Sequence, residues 1–367
     1  MSDNHKRYRS IRSALSQMIF KKSTSSGANK ELNVMASLIS GIVGSHSTNY
    51  PKIASKVPTL TKAESRVKSY SRYINAADLA QEIYLMPFAE QLLANLSDHT
   101  LVLIIDGSDV GRNCVALMIS VQFRGRALPI GWLVISGKKG HFSQERHVQL
   151  VSAVKELVPN GSDVIFLGDG EFDGSGLQEK LTEFGWKYAC RTASNAILND
   201  GNEFSFQELL LKPGMCLAIE DVLFTRQYYG PVLAVAWWRS GYEEPIYLIS
   251  NMDLKDEVCY WYQKRFKIET FFSDQKSRGF NLHKSHISKP SRLGKLMVAA
   301  CLAYLWVVHI GLWSFGQKLN TIVHRTDRCD LSLFQLGLRV LEHLLDFDMP
   351  IPVSFTDFSH VHLDFVR

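Results

Sequence analysis

The sequence predicts an α/β protein organised around a mixed sheet, and three observations carry that expectation. Three apolar runs follow one another between residues 101 and 136, the last two separated by a glycine-containing turn. Two more, at 164–167 and 187–191, alternate with segments of helical period, the order that builds a mixed α/β layer. Composition supplies the core, because 46% of the 367 residues are hydrophobic and only 21% are charged. Such a chain has the length of about two domains and is too apolar for a disordered, collagenous or disulfide-scaffold protein.

The first 95 residues read as helices. Ser10–Phe20 and Glu31–Val43 are periodic, with a Ser/Gly loop over Ser23–Asn29 between them. Thr61–Glu64 fits a capping box that opens a helix whose Arg66, Lys68 and Arg72 face solvent, and Ala76–Leu93 follows as another. Leu101–Ile105 is a central strand ending at Asp106, and Cys114–Val121 and Ala127–Ser136 are strands joined by the turn Phe123-Arg124-Gly125-Arg126. Ser143–Val158 is helical, Val164–Leu167 is a short buried strand that delivers Asp169, Gly176–Phe184 is a helix and Lys187–Arg191 a fifth strand.

From Asn195 to Asp253 the helical period is missing. Val222–Tyr229, Val232–Arg239 and Pro245–Ser250 alternate like antiparallel strands, with turns at Gly230-Pro231 and Gly241. A long helical pattern then runs from Lys255 to about Leu345, broken near Gly279 and Pro290, and the last residues are irregular. The expected divisions are a helical basic region at 1–95, a core at 96–194, a β-rich insertion at 195–254, core helices at 255–315 and a C-terminal helical region at 316–367.

Charge is asymmetric. Residues 1–75 hold thirteen Lys and Arg against Asp3, Glu31 and Glu64, a net of +10, whereas the remainder carries −5. A basic head on a mildly acidic body is what a polyanion partner selects, and the helical setting suits duplex DNA. The six cysteines (Cys114, Cys190, Cys216, Cys259, Cys301, Cys329) include no C-x-x-C pair, so they read as reduced thiols and not as a zinc site. Met1–Arg12 is polar and basic with no apolar run behind it, and a cytoplasmic protein is expected. Leu296–Phe315 contains no Asp, Glu, Lys or Arg and is long enough to span a bilayer, but its Tyr304, Trp306, His309 and Trp313 in mid-run favour a buried core helix.

Three acids stand out by position. Asp106 and Asp169 end strands, where α/β sheets build their sites, and Glu269 lies on the helix after the insertion. At 100° per residue, Tyr262, Arg265, Glu269 and Lys276 share one helical stripe, with Trp261, Ile268 and Phe271 turned away. Carboxylates so placed suit hard divalent cations, and a pair of such ions can clamp both oxygens of an in-line phosphoryl displacement. Asp109 competes with Asp106, which is favoured because it directly follows the apolar run; Glu171 and Asp173 compete with Asp169 in the same way.

These residues carry a resemblance. Ile105-Asp106-Gly107-Ser108-Asp109, Gly168-Asp169-Gly170-Glu171-Phe172-Asp173-Gly174 and Tyr262-x2-Arg265-x3-Glu269-x6-Lys276 resemble the three catalytic regions of insertion-sequence DDE transposases. The last is the complete Y-(2)-R-(3)-E-(6)-K signature of the IS4 family, and the likeness extends over roughly residues 60–315. The resemblance implies a ribonuclease-H-like core interrupted by a β-rich insertion, with a helical DNA-binding N-terminal domain. It implies Asp106, Asp169 and Glu269 as ligands of Mg2+, two ions in number, with Mn2+ able to substitute. It further implies that Tyr262, Arg265 and Lys276 contact the transposon end, and that a homodimer cuts terminal inverted repeats and joins them to target DNA. Arg66, Lys68 and Arg72 are assigned to the same DNA on charge alone, and Trp237 and Trp238 are candidates for stacking a flipped base. The rival reading is an inactive or repurposed transposase that binds DNA by sequence without cutting it.

Weaker patterns are set aside. Gly168-x-Gly170-x3-Gly174 lacks the dinucleotide-loop spacing, and its interleaved acids would repel a pyrophosphate. His360-x-His362 has no companion ligands.

Overall fold

A computed structural model describes residues 1–18, 26–76, 82–137, 140 and 142–358. His360 and His362 lie outside the described residues, as do parts of the expected Ser10–Phe20, Ser23–Asn29 and Ala76–Leu93 segments. The chain begins with four helices, α1 (Asp3–Met18), α2 (Ser26–Ser45), α3 (Tyr50–Ser55) and α4 (Ala63–Asn75). β1 (Ile83–Leu85) and α5 (Ala89–Leu96) come next. β2 (Leu101–Gly111), β3 (Cys114–Phe123) and β4 (Arg126–Ser136) then form an antiparallel meander. α6 (Gln144–Lys155), β5 (Val164–Gly168), α7 (Ser175–Glu183) and β6 (Lys187–Thr192) add two strands parallel to β2.

The order β4-β3-β2-β5-β6 within the sheet is the ribonuclease-H-like arrangement: three antiparallel strands, then two parallel ones reached through helical crossovers. The β-rich segment does not form a separate layer. β7 (Ile197–Asn199), β8 (Glu203–Ser205), β9 (Cys216–Phe224), β10 (Tyr229–Trp237) and β11 (Ile246–Ser250) extend the same sheet, because β11 pairs antiparallel with β6. The result is one sheet of eleven strands among the described residues. Its β9–β10 turn falls at Thr225–Tyr228 and not at Gly230-Pro231, which sits inside β10 where the register shifts. A proline inside a strand is tolerated at such an irregularity because no ladder donor is needed there.

Among the described residues, five α-helices follow β11: α8 (Lys255–Tyr262), α9 (Lys267–Gln275), α10 (Pro290–Gly316), α11 (Asn320–Val323) and α12 (Leu333–Asp346), with a 3-10 turn at Leu282–Lys284. α6 and α10 cover opposite faces of β4, as the alternation of a strand dictates. Gly131 faces Leu150 and Val154 of α6, whereas Trp132 turns the other way and donates its indole N–H to the Gly294 carbonyl of α10 at 3.2 Å. Burial on both sides explains why β2 to β5 read as nearly continuous apolar runs.

α10 is long and apolar enough to cross a bilayer, yet 89% of its most apolar window is buried in the fold. Its polar atoms are satisfied by the segment after α12: Trp306 donates to the Pro352 carbonyl at 2.9 Å, and His309 Nδ1 meets the Asp357 carbonyl at 2.8 Å. α12 crosses α10 where Gly311 and Gly337 leave no side chain between the backbones. The N-terminal helices share this apolar core, with Ile39 and Ile42 of α2 fully buried in the same cluster as the sheet residues.

Two local expectations are corrected. Residues 83–85 form an edge strand on β4 instead of continuing a helix, because Tyr84 is drawn over α10 and donates its hydroxyl to the Ser291 carbonyl at 2.6 Å. α4 opens at Ala63 with Lys62 as its N-cap and no side-chain cap, since Thr61 Oγ1 bonds Thr59 Oγ1 at 2.8 Å instead of closing a capping box.

Candidate active site

Two strand acids meet through register. The parallel pairing of β2 with β5 ends at Ile104 opposite Leu167, and two residues further along each strand come Asp106 and Asp169. β2 itself does not stop there: it continues to Gly111 in partnership with β3, so Asp106 lies in mid-strand beside the point where β5 has ended. The apolar run ends at Asp106, just past the last residue of β2 that pairs with β5. Asp106 is 2% exposed and its Oδ1 accepts the Gly107 N–H at 2.7 Å. Asp169 opens the loop after β5, and its Oδ1 accepts the Glu171 N–H at 3.1 Å. Asp109 is exposed and, three residues on from Asp106, points from the opposite face of β2.

The expected single stripe of Tyr262, Arg265, Glu269 and Lys276 does not form, because the helix breaks inside it. α8 ends at Tyr262, residues 263–266 make tight i+3 turns, and α9 starts at Lys267. Tyr262 is therefore a buried residue at the end of one helix, Glu269 stands in the first turn of the next, and Lys276 is that helix's C-cap. The bend nevertheless brings the charged members together. Arg265 Nη1 lies 3.9 Å from Asp106 Oδ2 and 3.9 Å from Asp169 Oδ2, and its Nη2 donates to Glu269 Oε1 at 2.7 Å. Lys276 Nζ donates to Ser108 Oγ at 2.7 Å, on the same face of β2 as Asp106 and two residues along. Ser108 was not singled out in the sequence; its even spacing from Asp106 on a strand was the available signal.

Electrostatics at the cluster follow from these contacts. Burial opposes the charge on Arg265, but Tyr262, Glu269 and Asp106 around it hold its pKa above the ordinary arginine value. Burial pushes the Tyr262 phenol up to about 12, against the pull of Arg265 and Arg191, so it remains a protonated hydroxyl. Behind Asp169, Glu171 Oε1 accepts the Phe142 N–H at 3.3 Å and lies 3.9 Å from His147 Nε2. His147 packs on Phe172 with ring centroids 4.7 Å apart, and burial pulls its pKa down to about 4 despite Asp169 and Glu145. Asp173 accepts the Thr192 hydroxyl at 2.7 Å and is raised by burial. Glu171 and Asp173 thus brace the loop, and His147 was missed because one histidine in an amphipathic helix leaves no pattern.

A second ion pair anchors α9. Arg126, in the β3–β4 turn region, donates to Asp274 Oδ2 at 2.9 Å, with side chains 14% and 6% exposed. Burial outweighs the attraction of Arg126 and Arg278 and pushes Asp274 up to about 6. A carboxyl raised in the folded state binds its proton more tightly there than in the unfolded chain, so this group favours folding below about pH 4 and loses that contribution as pH rises through 6. Asp274→Asn is expected to flatten the stability profile between those values, measured by denaturant unfolding at several pH values.

The candidate DNA residues are placed unequally. Lys68 and Arg72 are exposed on α4. Arg66 is instead folded back, with Nη1 donating to the carbonyls of Thr59 and Thr61 at 3.2 and 2.8 Å and to Thr59 Oγ1 at 3.0 Å, and it clips the α3–α4 loop. Trp237 ends β10 opposite Ile246, which puts it at the same end of the sheet as Asp169. Arg239 stacks over Trp237 at 5.2 Å, and Trp238 donates to the Tyr242 carbonyl at 2.9 Å; both indoles are half-buried.

The donor chemistry fits a hard divalent cation. Asp106 and Asp169 each offer a carboxylate oxygen 3.9 Å from one nitrogen, and the place they share is already taken by positive charge, the Arg265 guanidinium. Glu269 completes the set only if its side chain turns inward from that guanidinium. Among the described residues no group of three His, Cys, Asp or Glu side chains is close enough to hold an ion as arranged.

A family model described as "Transposase DDE domain" matches residues 98–306, more than half of the chain. No curated protein matches it. Among solved structures, the chain is similar to a piggyBac transposase synaptic complex with hairpin DNA, at 10% identity, 98% of this chain, 84% of that one and a TM-score of 0.46. It is also similar to Aquifex aeolicus Argonaute, at 14% identity, 54% of this chain, 28% of that one and a TM-score of 0.25. The fold assignment rests on the strand order, not on these two.

Proposed function

We propose that this chain, which belongs to the transposase DDE domain family, is an IS4-type enzyme that cuts transposon ends and joins them to target DNA. The observation that carries the proposal is the convergence of Asp106, Asp169 and Glu269 on one guanidinium at the end of the parallel strand pair. Divalent ions held by these three carboxylates, two Mg2+ with Mn2+ as a substitute, would supply Lewis-acid polarisation of the scissile phosphate and a more acidic water.

The rest falls to the chain's own residues. Asp106 and Asp169 are fixed in direction by the backbone N–H groups of Gly107 and Glu171. Arg265 offers a planar fork of donors and Lys276 a point charge to the phosphates on either side of the cut. Ser108 holds Lys276 in place over β2. The buried Tyr262 phenol stays protonated and adds no negative charge beside the phosphates. Water attacks phosphorus in line to free a 3′-hydroxyl, and that hydroxyl later attacks target DNA in the same geometry, so no Ser or Tyr nucleophile is required. Lys68 and Arg72 lie on a helix free to meet duplex phosphates. Paired ends call for two copies of the chain, a homodimer on DNA in the bacterial cytoplasm.

The test is a transposition assay with a marker flanked by the element's terminal repeats. Expression of the chain is expected to move the marker and leave the donor site broken or resealed. Firm binding to the repeats with no movement and no cutting would establish the non-catalytic DNA-binding reading instead.

A further inference from the structure

We propose that Arg265 is an internal counter-cation that competes with divalent metal for the acid cluster, so that metal loading and DNA binding favour each other. The inference rests on the assignment of Asp106, Asp169 and Glu269 as metal ligands and goes beyond it.

The geometry supplies the competition. One guanidinium spans all three carboxylates, at 3.9 Å from Asp106, 3.9 Å from Asp169 and 2.7 Å from Glu269. Arg265 is only 16% exposed and Asp106 3%, so the contact is made where screening by solvent is weak. Glu269, by contrast, is 57% exposed and reaches toward Arg265 on the next turn of chain. A hard cation that takes oxygens from all three must displace the guanidinium from between them. Without another anion nearby, the displaced Arg265 would move from a site of three negative charges into solvent at a loss.

DNA changes that balance. A phosphodiester at the mouth of the site offers the guanidinium two oxygens in the planar spacing that carboxylates offer it. The arginine can then exchange carboxylates for phosphate while the acids exchange arginine for metal, and neither set of charges is left unpaired. Because linkage is reciprocal, DNA raises metal affinity by the same factor by which metal raises DNA affinity. The free protein is thereby kept poor in metal, and hydrolytic competence is confined to the DNA-bound state. Arg265 sits in the turn between α8 and α9, outside regular helix, where its side chain can swing without unwinding either element.

The experiment is a Mn2+ titration of the full-length, DNA-free protein, read by the electron paramagnetic resonance signal of free Mn2+. Arg265→Ala is expected to bind Mn2+ about 5- to 150-fold more tightly than wild type, the usual range of coupling between sites. Arg265→Gln, which removes the charge and keeps an amide in the gap, carries the same expectation and serves if the alanine variant does not fold. Equal or weaker binding by the folded Arg265 variant overturns the proposal. Adding Asp169→Asn separates the two claims. If Asp169→Asn weakens Mn2+ binding but the Arg265 change does not strengthen it, the competition is wrong and the metal assignment stands. If Asp169→Asn changes nothing in either background, the ion lies elsewhere and both fall.

Discussion

Asp169→Asn is expected to lower strand cleavage by about 10³-fold or more while leaving folding and metal-free binding of the duplex end intact. The Asp169 side chain is 26% accessible, so an isosteric amide costs the fold little. The Asx-type bond to the Glu171 N–H survives, because an amide oxygen still accepts it. What is lost is one anionic ligand at the place where developing charge on the phosphate must be met. That interaction is worth several kcal/mol in the transition state, and each 1.4 kcal/mol is tenfold in rate. Single-turnover cleavage of a labelled end in Mg2+, with a gel-shift on the same duplex in chelator, reads both quantities. Loss of binding and cutting in parallel would place Asp169 in DNA recognition or folding rather than in catalysis.

Gly337→Ala is expected to destabilise the protein by about 3 kcal/mol or more, beyond the usual cost of one added methyl, because the obstacle is backbone and not a side chain. A Cβ at Gly337 would overlap the carbonyl oxygen of Val307 on α10, and a Cβ at the facing Gly311 would overlap that of Leu333 on α12. Neither carbonyl can turn away without breaking its own helix. α10 also carries Gly294 against the Tyr84 ring and accepts Trp132, so a shift of its axis propagates into the sheet. Chemical denaturation of Gly337→Ala against a surface control such as Ser65→Ala checks the size of the effect. A change below about 1 kcal/mol would mean that the two helices slide apart freely.

The sheet that carries the two acids was legible because its signal is local. Strands β2 to β5 are buried on both faces, so each declares itself as an apolar run, and the two acids lie just past the last residues paired between β2 and β5. The basic surface of α4 was legible from charge, but the fate of Arg66 was not, since three nearby oxygens in the α3–α4 loop claim it. The single helical stripe does not exist in the fold. Period alone assumes a straight helix, whereas a bend at 263–266 swings Arg265 onto Asp106 and Asp169 and sends Lys276 to Ser108. Edge strand β1 escaped notice because three residues give no period, and its pairing is set by Tyr84 and α10 far away in sequence. Likewise, nothing in the β-rich segment announces that β11 joins β6 and continues the sheet; that choice is tertiary.

The most direct test of the account is cleavage of a labelled duplex bearing the element's own end, in Mg2+, by wild type and by Glu269→Ala. The Glu269 side chain is 57% exposed and pairs with Arg265, so its truncation leaves the fold in place. Wild type is expected to free a 3′-hydroxyl at the end, whereas Glu269→Ala binds the same duplex without metal and does not cut it in Mg2+. Equal cutting by both proteins would contradict the assignment of Glu269 and, with it, the three-carboxylate site.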